Sequence, residues 1–183
     1  MNKRKIFFFI LVSVVASSCT KYADITYVTA AIGLHNADNS GQSPVDAGNS
    51  VAARAYAIRL HITNAVSGFS GPGSEDLSKG HYLKTDPLLS FTVSALQRFD
   101  STHPAGTSLN EYFLAGSGTS VYTLASSSSS LFSFPGKGKT SWQYDQYVVL
   151  MQPPDSAGTY QFVVDAVFYP AHRLRDTLTV DLY

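Results

Sequence analysis

The sequence predicts an all-β protein: a single antiparallel β-sandwich of about seven or more strands, with one short helical insertion. Three observations predict it. Apolar and polar residues alternate with a period of two in segment after segment, no long stretch keeps a helical period, and clusters of Gly, Pro, Asn, Asp and Ser separate the alternating runs. Composition agrees, since charged residues are 14% of the chain while Ser, Thr, Gly and Tyr abound, which suits an exported β protein better than a cytosolic helical one.

Taken in order, Asp24 to Leu34 is rich in β-branched residues and runs into HNADNSGQSP, a string of turn formers. Tyr56, Ile58, Leu60 and Ile62 alternate with Ala57, Arg59, His61 and Thr63, which predicts a strand with one buried and one wetted face. Asn64 to Gly80 contains SGFSGPGSED and reads as a loop; Leu89, Phe91, Val93 and Ala95 then repeat the alternation. The rhythm breaks at Phe99 to Phe113. There a turn at His103-Pro104-Ala105-Gly106 precedes Ser108 and Glu111 at capping-box spacing, predicting one short helical turn between strands.

Residues 116–140 are low in complexity: the serine run 126–130 reads as a loop flanked by short edge strands at Val121–Leu124 and Leu131–Phe134. Tyr144 to Met151 is a strand, and Pro153 to Gly158 turns the chain into a long strand from Thr159 to Tyr169. Along it Tyr160, Phe162, Val164, Ala166 and Phe168 share a face. After a turn at Pro170 to Arg173, Leu178, Val180 and Leu182 mark a final strand.

Ahead of this domain stands a different kind of segment. Met1 to Lys5 is basic, Ile6 to Ala16 is apolar but shorter than the ~20 residues a membrane-spanning helix needs, and the small Ser17 and Ser18 precede Cys19. Residues 1–18 are therefore expected to be a signal peptide, 19–23 a tether and 24–183 the folded domain. Removal of Lys3, Arg4 and Lys5 from a chain with 13 basic and 13 acidic side chains leaves a net charge of about −3, which argues against nucleic acid as a partner. The remaining length of about 165 residues suits one domain able to bury its own core. With Cys19 the only cysteine, no disulfide within the chain and no cysteine metal cluster can form.

The end of the signal resembles the lipobox of bacterial lipoproteins. The resemblance implies a Cys19 alkylated by diacylglycerol at the new amino terminus, and acyl chains that anchor the protein with no transmembrane helix. Asp155-Ser156-Ala157-Gly158-Thr159-Tyr160 resembles the tyrosine corner of immunoglobulin-like domains, in which the phenol bonds back to backbone and locks the turn between sheets. It implies a structural role for Asp155, Gly158 and Tyr160 and an Ig-like sandwich. Phe162 stands where antibody domains carry a cysteine, so the disulfide of those domains is missing.

Taken whole, the lipobox, the HNADN loop, the AYAIRL strand, FDSTHPAGTSLNEYF and the closing PPDSAGTYQF resemble uncharacterised outer-membrane lipoproteins of the Bacteroidetes. That resemblance implies an outer-membrane location, with the periplasmic and cell-surface faces both open, and implies no reaction. Asp100-Ser101-Thr102, Asp155-Ser156-Ala157 and Asp176-Thr177-Leu178 are similar to the O-glycosylation acceptor pattern of the same bacteria, which marks Ser101, Ser156 and Thr177, all in expected turns.

Motifs for chemistry are weak. Gly138-Lys139-Thr140 lacks the glycine five residues upstream and the following helix that a phosphate loop needs. None of the five histidines, His35, His61, His81, His103 and His172, has a ligand-spaced partner, and Glu75 and Glu111 are not paired with a second acid. Asp38 and Asp46 with Asn36, Asn39 and Gly41 form an oxygen-rich loop whose spacing is not that of an EF-hand. No metal and no cofactor are expected.

Aromatic residues supply the ligand expectation: Trp142 and Tyr144 share one strand face, Tyr147 takes the other, and an exposed pair would form a platform for stacking a sugar, whereas a buried pair would be core. The expectation is a non-enzymatic accessory lipoprotein binding a glycan or an envelope protein. Its alternatives are a fimbria-like structural subunit joined through a strand edge and a hydrolase with an unrecognised site.

Overall fold

Alternation places side chains as a period of two demands. Tyr56, Ile58, Leu60 and Ile62 are all 0% exposed on one side of their strand, and Tyr160, Phe162, Val164, Ala166 and Phe168 are buried on one side of theirs. The computed structural model describes residues 24–70, 81–84, 86–117, 120–123, 131–132, 141–170 and 172–183. The strands are β1 (Asp24–Asp38), β2 (Val45–Asp46), β3 (Ser50–Val51), β4 (Tyr56–Ser70), β5 (His81–Lys84), β6 (Leu88–Ala95), β7 (Phe113–Ser117), β8 (Ser120–Thr123), β9 (Ser141–Leu150), β10 (Gly158–Phe168) and β11 (His172–Leu182).

They form two sheets. The larger has the order β2-β1-β4-β9-β7-β8, with β5 added parallel to the start of β1; the smaller has the order β3-β11-β10-β6. Neighbours are antiparallel except β1 with β5 and β11 with β3. The inner faces meet through aromatic rings: Phe162 of β10 stacks on Tyr56 of β4 at 5.4 Å between centroids and receives Phe113 of β7 edge-on at 5.9 Å. Such rings contribute roughly 0.5–1.5 kcal/mol beyond their burial. The protein is therefore all-β and sandwich-like.

Several elements depart from the sequence reading. β1 runs on through His35-Asn36-Ala37-Asp38, because β4 offers a partner as far as Asp38 opposite Tyr56. Turn-forming residues are here overridden by a ladder, and at its other end the same ladder carries β4 to Ser70, into the expected loop. Leu89 is 60% exposed instead of sharing the buried face of Phe91, Val93 and Ala95. A bulge explains it: Phe168 pairs with Leu88 and Val167 with Ser90, so Leu89 is skipped and Leu88 takes the core side.

Ser108 and Glu111 do not form a capping box. A single 3₁₀ turn, Asn110–Tyr112, follows Leu109, which makes no side-chain cap; Ser108 Oγ accepts the Asn110 N–H at 3.3 Å, and Glu111 reaches His103 instead. The preceding turn closes with Thr107 N–H on the Pro104 carbonyl, and Gly106 holds φ 80° there, a conformation that glycine adopts without strain. Leu131 and Phe132, expected to begin an edge strand, are not in a strand. They are core residues, with Phe132 edge-on to Phe168 at 5.1 Å. The expected signal peptide, Cys19, the tether, the serine run and Gly138-Lys139-Thr140 lie outside the described residues.

Candidate binding site

Three clusters of polar side chains merit comparison, and each is set by strand register. The first lies where the edge of β1 in one sheet passes the edge of β11 in the other. Asn36, 8% exposed, reaches across: its Nδ2 donates to the Thr179 carbonyl at 2.9 Å and its Oδ1 accepts the buried Tyr56 hydroxyl at 3.1 Å. Burial pushes the Tyr56 phenol well above the usual range, so this hydroxyl stays a donor. Asp176 bridges the same seam, accepting the Leu34 N–H at 3.2 Å with one oxygen and the Thr177 N–H at 2.8 Å with the other.

Further along, His172 Nε2 donates to the Thr29 carbonyl at 2.9 Å while Asp86 accepts the Thr29 N–H at 2.6 Å. Thr29 sits at an irregularity of β1, so its backbone is turned away from the ladder and is taken up by side chains. At the end of the seam opens a cleft of about 340 Å³. Leu34, Ala47 and Leu178 line it together with the polar His35, Asp46, Asn49 and Thr179. That is near the lower end of small-ligand sites, and its lining is predominantly polar, with Leu178 buried beneath.

The second cluster lies on the outer face of the larger sheet. His61 Nδ1 and Asp145 Oδ1 are 2.8 Å apart, Arg59 stands 3.8 Å from Asp145 and 3.1 Å from Asp46, and β pairing sets Tyr147 opposite Arg59. These contacts tie β2, β4 and β9 together on an exposed sheet face.

The third lies in the segment between β6 and β7. Asp100 Oδ1 accepts the N–H groups of Thr102 and His103, at 2.7 and 2.8 Å, and the Thr102 hydroxyl at 2.8 Å; His103 Nδ1 is 2.9 Å away. On its other side His103 Nε2 meets Glu111 Oε1 at 2.9 Å. Thr102 Oγ1 also lies 2.9 Å from His103 Nδ1, so hydroxyl, imidazole and carboxylate stand in the order of a hydrolytic triad.

The carboxylates on both sides work against that role. The bond to Asp100 raises the His103 pKa, burial opposes it, and Glu111 adds to the rise, so the surroundings favour the charged ring over the neutral one a general base needs. Burial works to raise the Asp100 pKa, but the bonds from His103 and Thr102 outweigh it and keep the carboxyl well below the usual carboxylate range. Residue spacing could not reveal this cluster as a unit, because Glu111 joins it only through the turn at Gly106.

The remaining candidates fall as follows. Trp142 and Tyr144 share a face, edge-on at 6.0 Å, but it is the β9 face that carries Val148 and Leu150 into the core. Both rings are half-buried; Tyr144 packs against the core, and its hydroxyl donates to the Leu131 carbonyl at 3.3 Å. Tyr160 Oη donates to the Ser156 carbonyl at 2.9 Å across the turn that contains Asp155 and leads through Gly158 into β10, and the Asp155 N–H bonds the Phe99 carbonyl at 3.2 Å. Ser101 and Ser156 are exposed in turns. Thr177 is exposed too, but it lies within β11 and not in a turn, because Asp165 to Phe168 of β10 supply partners for Arg175 back to His172.

Asp38, Asn36 and Asp46 do not converge: Asp38 binds the Ser40 N–H at 2.7 Å, Asn36 points to the seam and Asp46 faces Arg59. No group of three metal-ligating side chains occurs among the described residues, and no helix among them is long and apolar enough to cross a membrane. Compared with known proteins, the chain matches no family model, no curated protein and no solved structure.

Proposed function

We propose that this protein is a non-catalytic binding module of the bacterial envelope, an Ig-like sandwich tethered at the outer membrane through a lipidated Cys19, whose ligand site is the cleft at the β1/β11 seam. Strand order supports the Ig-like reading. β1-β4-β9-β7 corresponds to an A-B-E-D sheet and β3-β11-β10-β6 to an A′-G-F-C sheet, with β3 parallel to β11. The Tyr160 bond to Ser156 at the start of β10 supports it further, since a tyrosine corner belongs at that strand. The lipobox and the likeness to Bacteroidetes lipoproteins support the location.

The observation that carries the binding role is the lining of the cleft, where the polar groups of His35, Asn36, Asp46, Asn49 and Thr179 predominate. A glycan suits it, because sugar hydroxyls are complementary to a lining made mostly of hydrogen-bonding groups. His35 and Asn49 are exposed, so changing both to alanine leaves the core intact. The test is a glycan array probed with the intact lipoprotein in detergent. Binding by the parent that falls at least about tenfold in the His35→Ala, Asn49→Ala variant supports the site. Binding unaffected by that change but abolished by Trp142→Ala moves the site to the β9 aromatics, and no glycan binding at all removes the reading. Cys19→Ala is expected to release the protein into the soluble fraction, and membrane retention equal to that of the parent refutes the anchor.

A specific observation favours a second reading, a fimbria-like or envelope-assembly subunit. The edges of β1 and β11 are linked across the seam by the side chains of Asn36, His172 and Asp176, which an incoming strand could displace to pair with either edge. Strand-exchanged polymers of purified protein would favour this reading over the first.

A further inference from the structure

The free edge of β6 is covered by its own downstream segment. Asn110 acts there as a surrogate strand: its Oδ1 accepts the Val93 N–H at 2.8 Å and its Nδ2 donates to the Phe91 carbonyl at 2.6 Å. The Leu109 N–H bonds the Val93 carbonyl at 2.8 Å and the Gly106 N–H the Ala95 carbonyl at 2.7 Å, while Leu109 is wholly buried beneath. This cover is anchored at both ends. Phe99 exchanges bonds with the His103 carbonyl and the Asp155 N–H, and the Tyr112 carbonyl takes the Met151 N–H.

Between the anchors, two side chains join the two turns of the cover: the Tyr112 hydroxyl bonds Thr102 and Asp100, and His103 bridges Asp100 and Glu111. Both ring nitrogens of His103 face carboxylates at 2.9 Å, an arrangement in which imidazolium, with a proton on each nitrogen, bonds both at once. We propose that the segment 99–112 is a proton-operated latch over the edge of β6: the His103 imidazolium clasps Asp100 and Glu111 together and keeps Asn110 on the strand, and loss of the proton lets the cover open more often.

The direction of release follows from the partners. A neutral ring has one N–H: with it on Nδ1 a lone pair faces Glu111, and with it on Nε2 the Nδ1 lone pair can accept the Thr102 hydroxyl 2.9 Å away. Asp100 is held by three further bonds and its side chain is 6% exposed, whereas the Glu111 side chain is 62% exposed and can swing into water. In either tautomer the link to Glu111 loses its charge assistance and weakens, and Glu111 is the neighbour of Asn110. The other groups around the ring do not compensate. Arg98 Nε is engaged with the Asp100 carbonyl at 2.8 Å and Asp155 meets this segment through its backbone; the Tyr112 ring packs on the imidazole at 4.6 Å, and its hydroxyl, whose pKa is raised above 10, bonds Thr102 and Asp100 whether or not His103 is charged, leaving Glu111 unaffected. The raised pKa of His103 places the release above the ordinary histidine value of 6.5. What is uncovered is a strand edge with Phe91 C=O and Val93 N–H free to pair, so the device controls exposure of an edge and goes beyond the ligand reading of the cleft.

Hydrogen exchange of the intact lipoprotein in detergent micelles, read by NMR at the Val93 and Leu109 amides and corrected for intrinsic rates, tests the latch beside the titration of the His103 ring. The expected result is an opening constant that rises about tenfold as the ring loses its proton, with the same midpoint for both signals. Glu111→Gln should abolish the step, because an amide can face either protonation state. If that variant does not fold, His103→Gln should show the same flat profile. Protection that stays constant through the ring titration overturns the proposal, as does a step of unchanged size in whichever variant folds.

Discussion

Two edges of the smaller sheet are protected in different ways. The β6 edge is covered by residues 104–112, only some 17 to 19 positions from the groups they bond in the case of Asn110 with Val93 and Phe91. The β11 edge meets β1 through bonds that span about 140 positions, 143 for both Asn36 with Thr179 and His172 with Thr29. A local cover can form and open on its own, while a distant seam exists only once both sheets are in place. The difference teaches where to look for regulation and where for stability: the cover is a candidate moving part, the seam a determinant of the whole fold.

The strongest way to break this comparison is Asn36→Ala. It removes the seam's central link and strands the buried Tyr56 hydroxyl, so the expected loss is about 2–3 kcal/mol of unfolding free energy by denaturant titration. A loss below that of the cover variant would reverse the ranking of the two edges. Asn110→Ala comes next. Two bonds at a solvent-facing edge are lost, for about 1–2 kcal/mol. Its distinctive sign is concentration-dependent association in sedimentation, because the edge is bared while the fold survives.

Tyr160→Phe tests the corner to which the cover is anchored through Asp155 and Phe99, and about 0.5–1.5 kcal/mol is expected from the lost bond to Ser156. Arg173→Ala breaks an exposed pair with Asp165 on β10 and should change stability by no more than about 1 kcal/mol. The pH dependence sharpens the contrast at both ends of the scale. The pKa of His103 is raised above 6.5, so its contribution is complete below that pH and is lost as pH rises through the folded value. Asp100 is depressed below 3.8, so its contribution is present above 3.8 and is lost as pH falls. Protection of the cover is therefore expected to be greatest between those limits, and His103→Gln should flatten the alkaline side only.

Much of the fold was legible because a period of two states which face is buried wherever the strand lies. Tyr56 to Ile62, Tyr160 to Phe168 and Leu178 to Leu182 needed no partner to be assigned an inner face, and the Asp155 to Tyr160 turn announced its own hydrogen bond. What a strand's ends do was not legible. His35 to Asp38 carry turn chemistry and became strand because β4 was there to pair with them; Thr177 left its expected turn for the same reason. Leu89 shows the converse, where a bulge moved one residue out of a face that its spacing had assigned to it.

For function the division is sharper. The sequence by itself determined the β class, the composition of the core and the turn that the Tyr160 hydroxyl bonds across, since each depends on residues near one another or on a repeating period. Tertiary structure alone decided that Trp142 and Tyr144 turn toward the core, that His103 is clasped by two acids, and that His35, Asn49 and Thr179 meet around one cleft. These are relations between strands, set by register and sheet order, and a hydrogen bond between residues far apart in the chain has no signature until the backbone brings its donor and acceptor within about 3 Å.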